Sequence, residues 1–138
     1  MVINGHEIPF ILLRLISKDH YFVTCRSGLL KERFGIAQDF EIALYSASRL
    51  VLENSMVYDP EVAFAHSLVI GGASIRQGEL SAENIVIIGS IEKEESSIVI
   101  DFSDPDRLPV FHNTWNKYPS TWRLAFPSLM EFLSNLRN

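Results

Sequence analysis

Three apolar segments rich in Ile and Val, separated by two short polar connectors, lie within residues 84–112. β-Branched side chains pack well on a pleated surface, so these segments predict strands at 85–91, 97–102 and 108–112. Connectors this short join antiparallel neighbours. In the second connector, Asp104 and Pro105 suit the first two positions of a type I turn. The pattern therefore predicts a three-stranded β-meander.

Apolar residues follow one another without interruption in the first two of these strands. Ile85-Val86-Ile87-Ile88 and Ile98-Val99-Ile100 do not alternate with polar residues. A strand with one wet face alternates, whereas a strand covered on both faces does not. We therefore expect the rest of the chain to cover both faces of the sheet.

Four further segments carry the start signals of helices. A side-chain oxygen just before a helix accepts a hydrogen bond from a free backbone N–H, and Pro is tolerated at the first helical position. The signals are Asn4 or His6 with Pro9, Ser46, Asp59 with Pro60, and Ser128 with Glu131. They predict helices near 8–18, 46–54, 60–75 and 128–137.

Shorter N-terminal segments complete the predicted architecture. Residues 20–25 and 40–44 indicate strands, and 27–35 indicates a helical turn that ends at Gly35. The sequence thus predicts a single α+β domain over 1–138. Its central antiparallel sheet, the meander 84–112 plus shorter N-terminal strands, is covered by the four helices.

Composition is typical of a soluble globular protein of one domain, with 138 residues, 47% apolar and 21% charged. The single cysteine, Cys25, excludes an internal disulfide and indicates a reducing compartment, so we expect a cytoplasmic location. Arg14 and Lys18 interrupt the N-terminal apolar run well short of the roughly 20 residues that a membrane span needs. We expect no membrane partner.

The acidic residues are concentrated in and just before the meander. Eight acids and one base, Lys93, lie between 79 and 106, whereas nine acids and eleven bases make up the rest. This field disfavours nucleic acid and suits a partner protein with a basic surface. The alternative, given equal weight, is that charged loops merely solubilise and protect a sheet.

The candidate partner-binding residues follow from this charge pattern and from nearby aromatic residues. Acidic side chains on the two meander turns would steer a basic partner, and large aromatic side chains would anchor it. We expect Trp122, flanked by Leu124 and Phe126, to close one end of the sheet instead of anchoring a partner. The predicted site comprises Glu92, Glu94, Glu95, Asp104, Asp106, Trp115 and Tyr118.

An enzyme is the alternative from a different class. Asp101, Asp104 and His112 could bind a metal ion or act in a small hydrolase, although no known metal-ligand spacing is present. Cys25 and the four scattered histidines lack any signature of a catalytic pair, so no catalytic or metal site and no cofactor are expected. A small-ligand pocket between sheet and helices is a third possibility.

The order of elements resembles the SUKH superfamily, which includes fungal regulators of cell-wall glucan synthesis and many bacterial immunity proteins. The resemblance covers most of the chain. It implies an α+β protein-binding domain without established catalytic residues, and in bacterial members the neutralisation of a toxin, often a nuclease, by direct binding. It rests on a Pro9-started helix, Tyr45-Ser46 before a helix, and segments 84–89, 97–101, 109–111 and 127–133.

Overall fold

The computed structural model describes residues 1–16, 21–26, 28–71, 79–94, 96–114 and 121–136. Within these ranges the chain forms a six-stranded antiparallel sheet with helices packed against it. The strands are β1 (Val2–Ile3), β2 (His6–Glu7), β3 (Tyr21–Cys25), β4 (Phe40–Leu44), β5 (Leu68–Val69), β6 (Leu80–Ser81), β7 (Ile85–Ile91), β8 (Ser96–Asp101), β9 (Val110–Thr114) and β10 (Arg123–Phe126). The helices are α1 (Phe10–Leu15), α2 (Leu29–Phe34), α3 (Ala47–Asn54), α4 (Pro60–Ala65) and α5 (Leu129–Asn135), with a short 3₁₀ turn at Ala82–Asn84.

The six-stranded sheet has the order β10-β9-β8-β7-β4-β3, and all of its pairings are antiparallel. The predicted meander is confirmed as β7–β8–β9, and the two N-terminal strand predictions are confirmed as β3 and β4. Two small pairs lie outside this sheet, an antiparallel β1–β2 hairpin and a parallel β5–β6 pair. The α+β prediction is confirmed.

Both faces of the central strands are buried, as their unbroken apolar sequences predict. Ile88, Ile98 and Ile100 belong to the larger core, to which α1, α2, α3 and α5 contribute buried side chains. Ile87 and Val99 point to the other face, into a smaller core shared with α4. Alternation along β8 thus sends neighbouring residues into different cores.

Polar caps fix the starts of three helices at the predicted residues. The Ser46 hydroxyl accepts from Arg49 N–H at 3.4 Å, and the Asp59 carboxylate accepts from Glu61 N–H at 2.9 Å. The Ser128 hydroxyl accepts from Glu131 N–H at 3.1 Å. The predicted helix near 27–35 is confirmed as α2, which ends at a left-handed Gly35.

The N-terminal residues differ from the prediction. Asn4 and Gly5 both have positive φ, 52° and 80°, and turn the chain between β1 and β2 instead of capping a helix. An Asn-Gly pair suits this tight hairpin turn because both residues tolerate left-handed backbone. Pro9 is the residue before α1, which it joins without a side-chain cap.

The helix predicted near 60–75 is much shorter. It ends at Ala65, because Ser67 takes a positive φ of 58° and Leu68 then pairs with Leu80 in a parallel strand pair. The turn after β8 is also wider than the expected type I turn, since Leu108 N–H donates to the Asp104 carbonyl at 2.8 Å. In the described ranges no helix combines the length and apolarity needed to cross a membrane.

Candidate protein-binding surface and adjoining cleft

The β7–β8 hairpin places Glu92 and Glu94 at one end of the sheet. Lys93 takes a positive φ of 70° in the turn, and Glu94 N–H donates to the Ile91 carbonyl at 3.3 Å. Glu92 is exposed and Glu94 is half-buried. The predicted site residue Glu95 lies outside the described residues, as do Trp115 and Tyr118.

Asp104 and Asp106 lie at the opposite end of the sheet. Successive connections of a meander alternate between the two ends of the sheet. The two turns are therefore separated by the length of β8, about 17 Å. The Asp104 carboxylate accepts from Arg107 N–H at 3.3 Å, so it helps to build the turn. The predicted acidic residues therefore fall into two separate groups, one at each end.

The alternative catalytic set, Asp101, Asp104 and His112, is not brought together. His112 pairs with Ile98, which precedes Asp101 by three residues along β8. An odd separation puts the two side chains on opposite faces of the sheet. The Asp101 carboxylate instead accepts from the N–H and the hydroxyl of Ser103, at 2.9 and 2.8 Å.

The face of β3 and β4 that continues from the hairpin is accessible to solvent. Phe22, with 56% of its surface exposed, and Thr24 point outward from β3. Thr24 pairs with the exposed Glu41 of β4, and Glu92 N–H donates to the Glu41 carbonyl at 2.8 Å. Phe22, Glu41 and Glu92 together are called the acidic face below.

Glu41 is not among the predicted site residues, although the sequence around it indicates that its side chain is exposed. Residues 40–44 alternate in polarity, so Glu41 was expected on a wet face. What the sequence did not supply is the pairing of β4 with β7, which connects segments far apart in the chain. That pairing adds a carboxylate next to the hairpin.

A shallow hollow of about 280 Å³ adjoins the acidic face at Glu92. Tyr45, Ser90 and Glu92 line it, and the Arg49 guanidinium lies 5.7 Å from the centre of the Tyr45 ring. Burial raises the pKa of the Tyr45 phenol, and a hydrogen bond with Ser90 opposes that rise. Tyr45 thus remains a neutral aromatic surface at physiological pH.

On the opposite face, the same end of the sheet carries a second cleft, of about 320 Å³. Its floor includes His112 of β9 and Arg123 of β10, which pair directly across the two strands. Burial lowers the pKa of His112 to about 4, and the positive charge of Arg123 adds to this. Residues Phe34 to Gln38, Ile91, Glu94, Ser96, Asn113 and Thr121 complete the lining.

Cys25 and the described histidines lie in separate places. Cys25 is buried in the larger core, where burial raises the pKa of its thiol to about 11. His66 is buried beside Trp122, with ring centres 6.2 Å apart, and burial lowers its pKa to about 4. Trp122 is buried in the smaller core. The described parts of the chain hold no cluster of three or more potential metal ligands.

The structure thus has two candidate sites at the hairpin end of the sheet. They are the acidic face on one side and the cleft of about 320 Å³ on the other. Comparison with protein-family models, with curated proteins and with solved structures finds no match to this chain.

Proposed function

We propose that this chain is a protein-binding domain that captures a partner with a basic surface on its acidic face. The observation that carries the proposal is the strand register. It sets the exposed Glu41 beside Glu92, on a sheet face that also exposes the large apolar ring of Phe22. An accessible aromatic ring bordered by carboxylates is the arrangement that a basic protein surface complements.

Both ends of the sheet carry exposed acids, but at the hairpin end Glu41 and Glu92 are neighbours across two strands, on the face that exposes Phe22. At the far end, Asp101 and Asp104 accept hydrogen bonds within their own turn. At the hairpin end, Glu41 and Glu94 take part in none of the ion pairs found among the described residues. Lys93, in the β7–β8 turn, offsets part of the negative charge of the hairpin. We therefore expect the attraction for a basic partner to be strongest on the side of β3 and β4, where Glu41 lies.

The biological role that we propose follows from the resemblance to the SUKH superfamily. An immunity protein of that kind neutralises a toxin by direct binding, and a nuclease toxin presents a basic cleft because that cleft must hold nucleic acid. A regulatory role, like that of the glucan-synthesis regulators, would use the same surface. In both roles the chain binds protein instead of catalysing a reaction.

Surface plasmon resonance against the toxin-like product of a neighbouring reading frame tests the proposal. Charges at an interface rim act mainly on the association rate, and salt screens them. Reversal of two acids, Glu41→Lys with Glu92→Lys, should slow association about tenfold at low salt and much less at high salt. Phe22→Ala should instead speed dissociation.

A matched control reverses two exposed acids at the far end, Glu83→Lys with Asp106→Lys. This variant has the same net charge as the first, so it separates local steering from overall charge. We expect its association rate to stay within about twofold of the unmodified protein. Equal slowing by both variants, or none by either, would contradict the acidic face as the binding site.

A further inference from the structure

Three residues with hydrogen-bond donors, on neighbouring strands, line the 320 Å³ cleft. They are Ser96 on β8, His112 on β9 and Arg123 on β10. All three residues point to the face of the larger core, as the alternation along each strand requires. This cluster is independent of the acidic face, which lies on the other side of the sheet.

Arg123 and His112 form a directly opposed cross-strand pair. Side chains in such a pair have their Cβ atoms about 5 Å apart, and Ser96 is the diagonal neighbour of His112 at about 7–8 Å. A small ligand lying over His112 would therefore lie between Arg123 and Ser96. Phe34 packs edge-on against His112, with ring centres 5.1 Å apart, and holds the imidazole in place.

Ser96 supplies the observation that points to a ligand. The residue is only 3% exposed, and its Oγ has no hydrogen-bond partner among the residues that the structure describes. A buried hydroxyl without a partner costs free energy, so such groups are rare unless another molecule satisfies them. Arg123 likewise belongs to none of the ion pairs in the described ranges.

The charge around the cleft selects the kind of ligand. Arg123 provides a full positive charge, while His112 and Ser96 add neutral donors, which together match a carboxylate. Glu94 lines the same cleft and would repel a second negative charge while attracting a cation. The volume is at the lower end of the range for small-molecule sites.

We propose that this cleft binds a small monocarboxylate whose far end carries a hydrogen-bond donor or a positive charge. Arg123 and His112 hold the carboxylate, the Ser96 hydroxyl donates to the same group, and Glu94 accepts from the far end. The proposal does not depend on the protein-binding function, because it concerns a different face and can be tested without a partner.

Amide-resolved NMR titration tests it with γ-aminobutyrate as the probe at constant ionic strength. We expect saturable shifts centred on Ser96, His112 and Arg123. The carboxamide of the probe, which lacks the negative charge, and succinate, which carries a second one, should each bind about tenfold more weakly.

Two variants and one control localise the binding. Arg123→Gln should weaken binding of γ-aminobutyrate about tenfold or more, and Ser96→Ala should weaken it severalfold. Arg107→Gln removes an exposed arginine at the far end of the sheet and should change nothing. Unchanged spectra elsewhere show that each variant is folded.

Three results would overturn the inference. They are the absence of saturable shifts at the cleft with γ-aminobutyrate, equal binding of the probe and its carboxamide, and equal losses in the Arg123 and Arg107 variants. The last would indicate that the overall charge of the protein, and not the cleft, determines the binding of the probe.

Discussion

The side chain of Asn54 hydrogen-bonds both backbone groups of Ile87. Its Oδ1 accepts from Ile87 N–H at 2.7 Å, and its Nδ2 donates to the Ile87 carbonyl at 2.9 Å and to the Leu50 carbonyl at 2.8 Å. Along β7, hydrogen bonding to β4 and the residue that follows it begins only after Ile87, where Tyr45 N–H donates to the Ile88 carbonyl. The carboxamide thus takes the place of a neighbouring strand.

Asn54→Ala should destabilise the fold strongly. It leaves the buried N–H and carbonyl of Ile87 without partners, at a cost of about 1–3 kcal/mol for each. We expect the free energy of unfolding in urea to fall by about 3 kcal/mol. Asn135→Ala is the control, because Asn135 makes a bond to Glu131 within its own helix and is half-buried. Similar losses in the two variants would contradict the bridging role of Asn54.

Gly89→Ala should also destabilise the sheet. A Cβ at this position would lie 2.3 Å from the Ala43 carbonyl oxygen, a backbone atom that cannot move without opening the β4–β7 pairing. Overpacking of this kind costs about 3 kcal/mol. Ser90→Ala, at the next residue, should cost about 1 kcal/mol in the same denaturation experiment. A fully stable Gly89→Ala protein would show that β4 and β7 are farther apart.

The two buried histidines should make stability depend on pH. In the unfolded chain an imidazole has a pKa near 6.5, but burial lowers the pKa of His66 and His112 to about 4 in the folded protein. Between these values the unfolded chain binds protons that the folded chain does not. The free energy of unfolding should therefore fall as pH decreases from 6.5 to 4, by at most about 1.4 kcal/mol per pH unit for each histidine.

Urea denaturation across this pH range, with His66→Gln and His112→Gln as comparisons, measures each contribution. Carboxylates also contribute to acid destabilisation, so the informative quantity is the difference in slope between the parent protein and a variant. Each substitution should make the decline shallower. A slope that neither substitution changes would show that the imidazoles titrate normally in the folded protein.

Cys25 should resist thiol reagents while the protein is folded. It is buried, and its thiol pKa of about 11 leaves very little thiolate at pH 8. Reaction with a disulfide reagent should be slow in buffer and fast in urea. Rapid stoichiometric labelling without denaturant would show that the edge of the sheet at β3 opens readily.

Much of the fold could be predicted from local sequence signals. Unbroken Ile and Val segments predicted β7 and β8, and Ser46, Asp59 and Ser128 predicted helix starts, because each feature depends on neighbouring residues alone. Asn4-Gly5 carried an equally local hairpin signal, but it was interpreted as part of a helix start. The helix predicted near 60–75 was too long, because Leu68 and Val69 continue a helical spacing while pairing with a distant strand.

The candidate sites were harder to predict, because they depend on strand register. The position of Glu41 beside Glu92 follows from the β4–β7 pairing, which no local pattern encodes. The same is true of Arg123 opposite His112. By contrast, the separation of Glu92 from Asp104 could have been predicted, since the two turns of a meander must lie at opposite ends.

The β4–β7 pairing has a consequence for the order of folding. The sheet contains two units whose paired strands are close in sequence, namely β3 with β4 and β7 with β8 and β9. Each unit can therefore form quickly. Pairing of the two units must close a loop from Leu44 to Gly89. The chain loses the entropy of closing this loop before the β4–β7 contacts can compensate for it. We therefore expect the docking of the two units to be the slow step. A chain in which they have not yet docked exposes the unpaired edges of β4 and β7, and we expect misfolding and aggregation to begin at these edges.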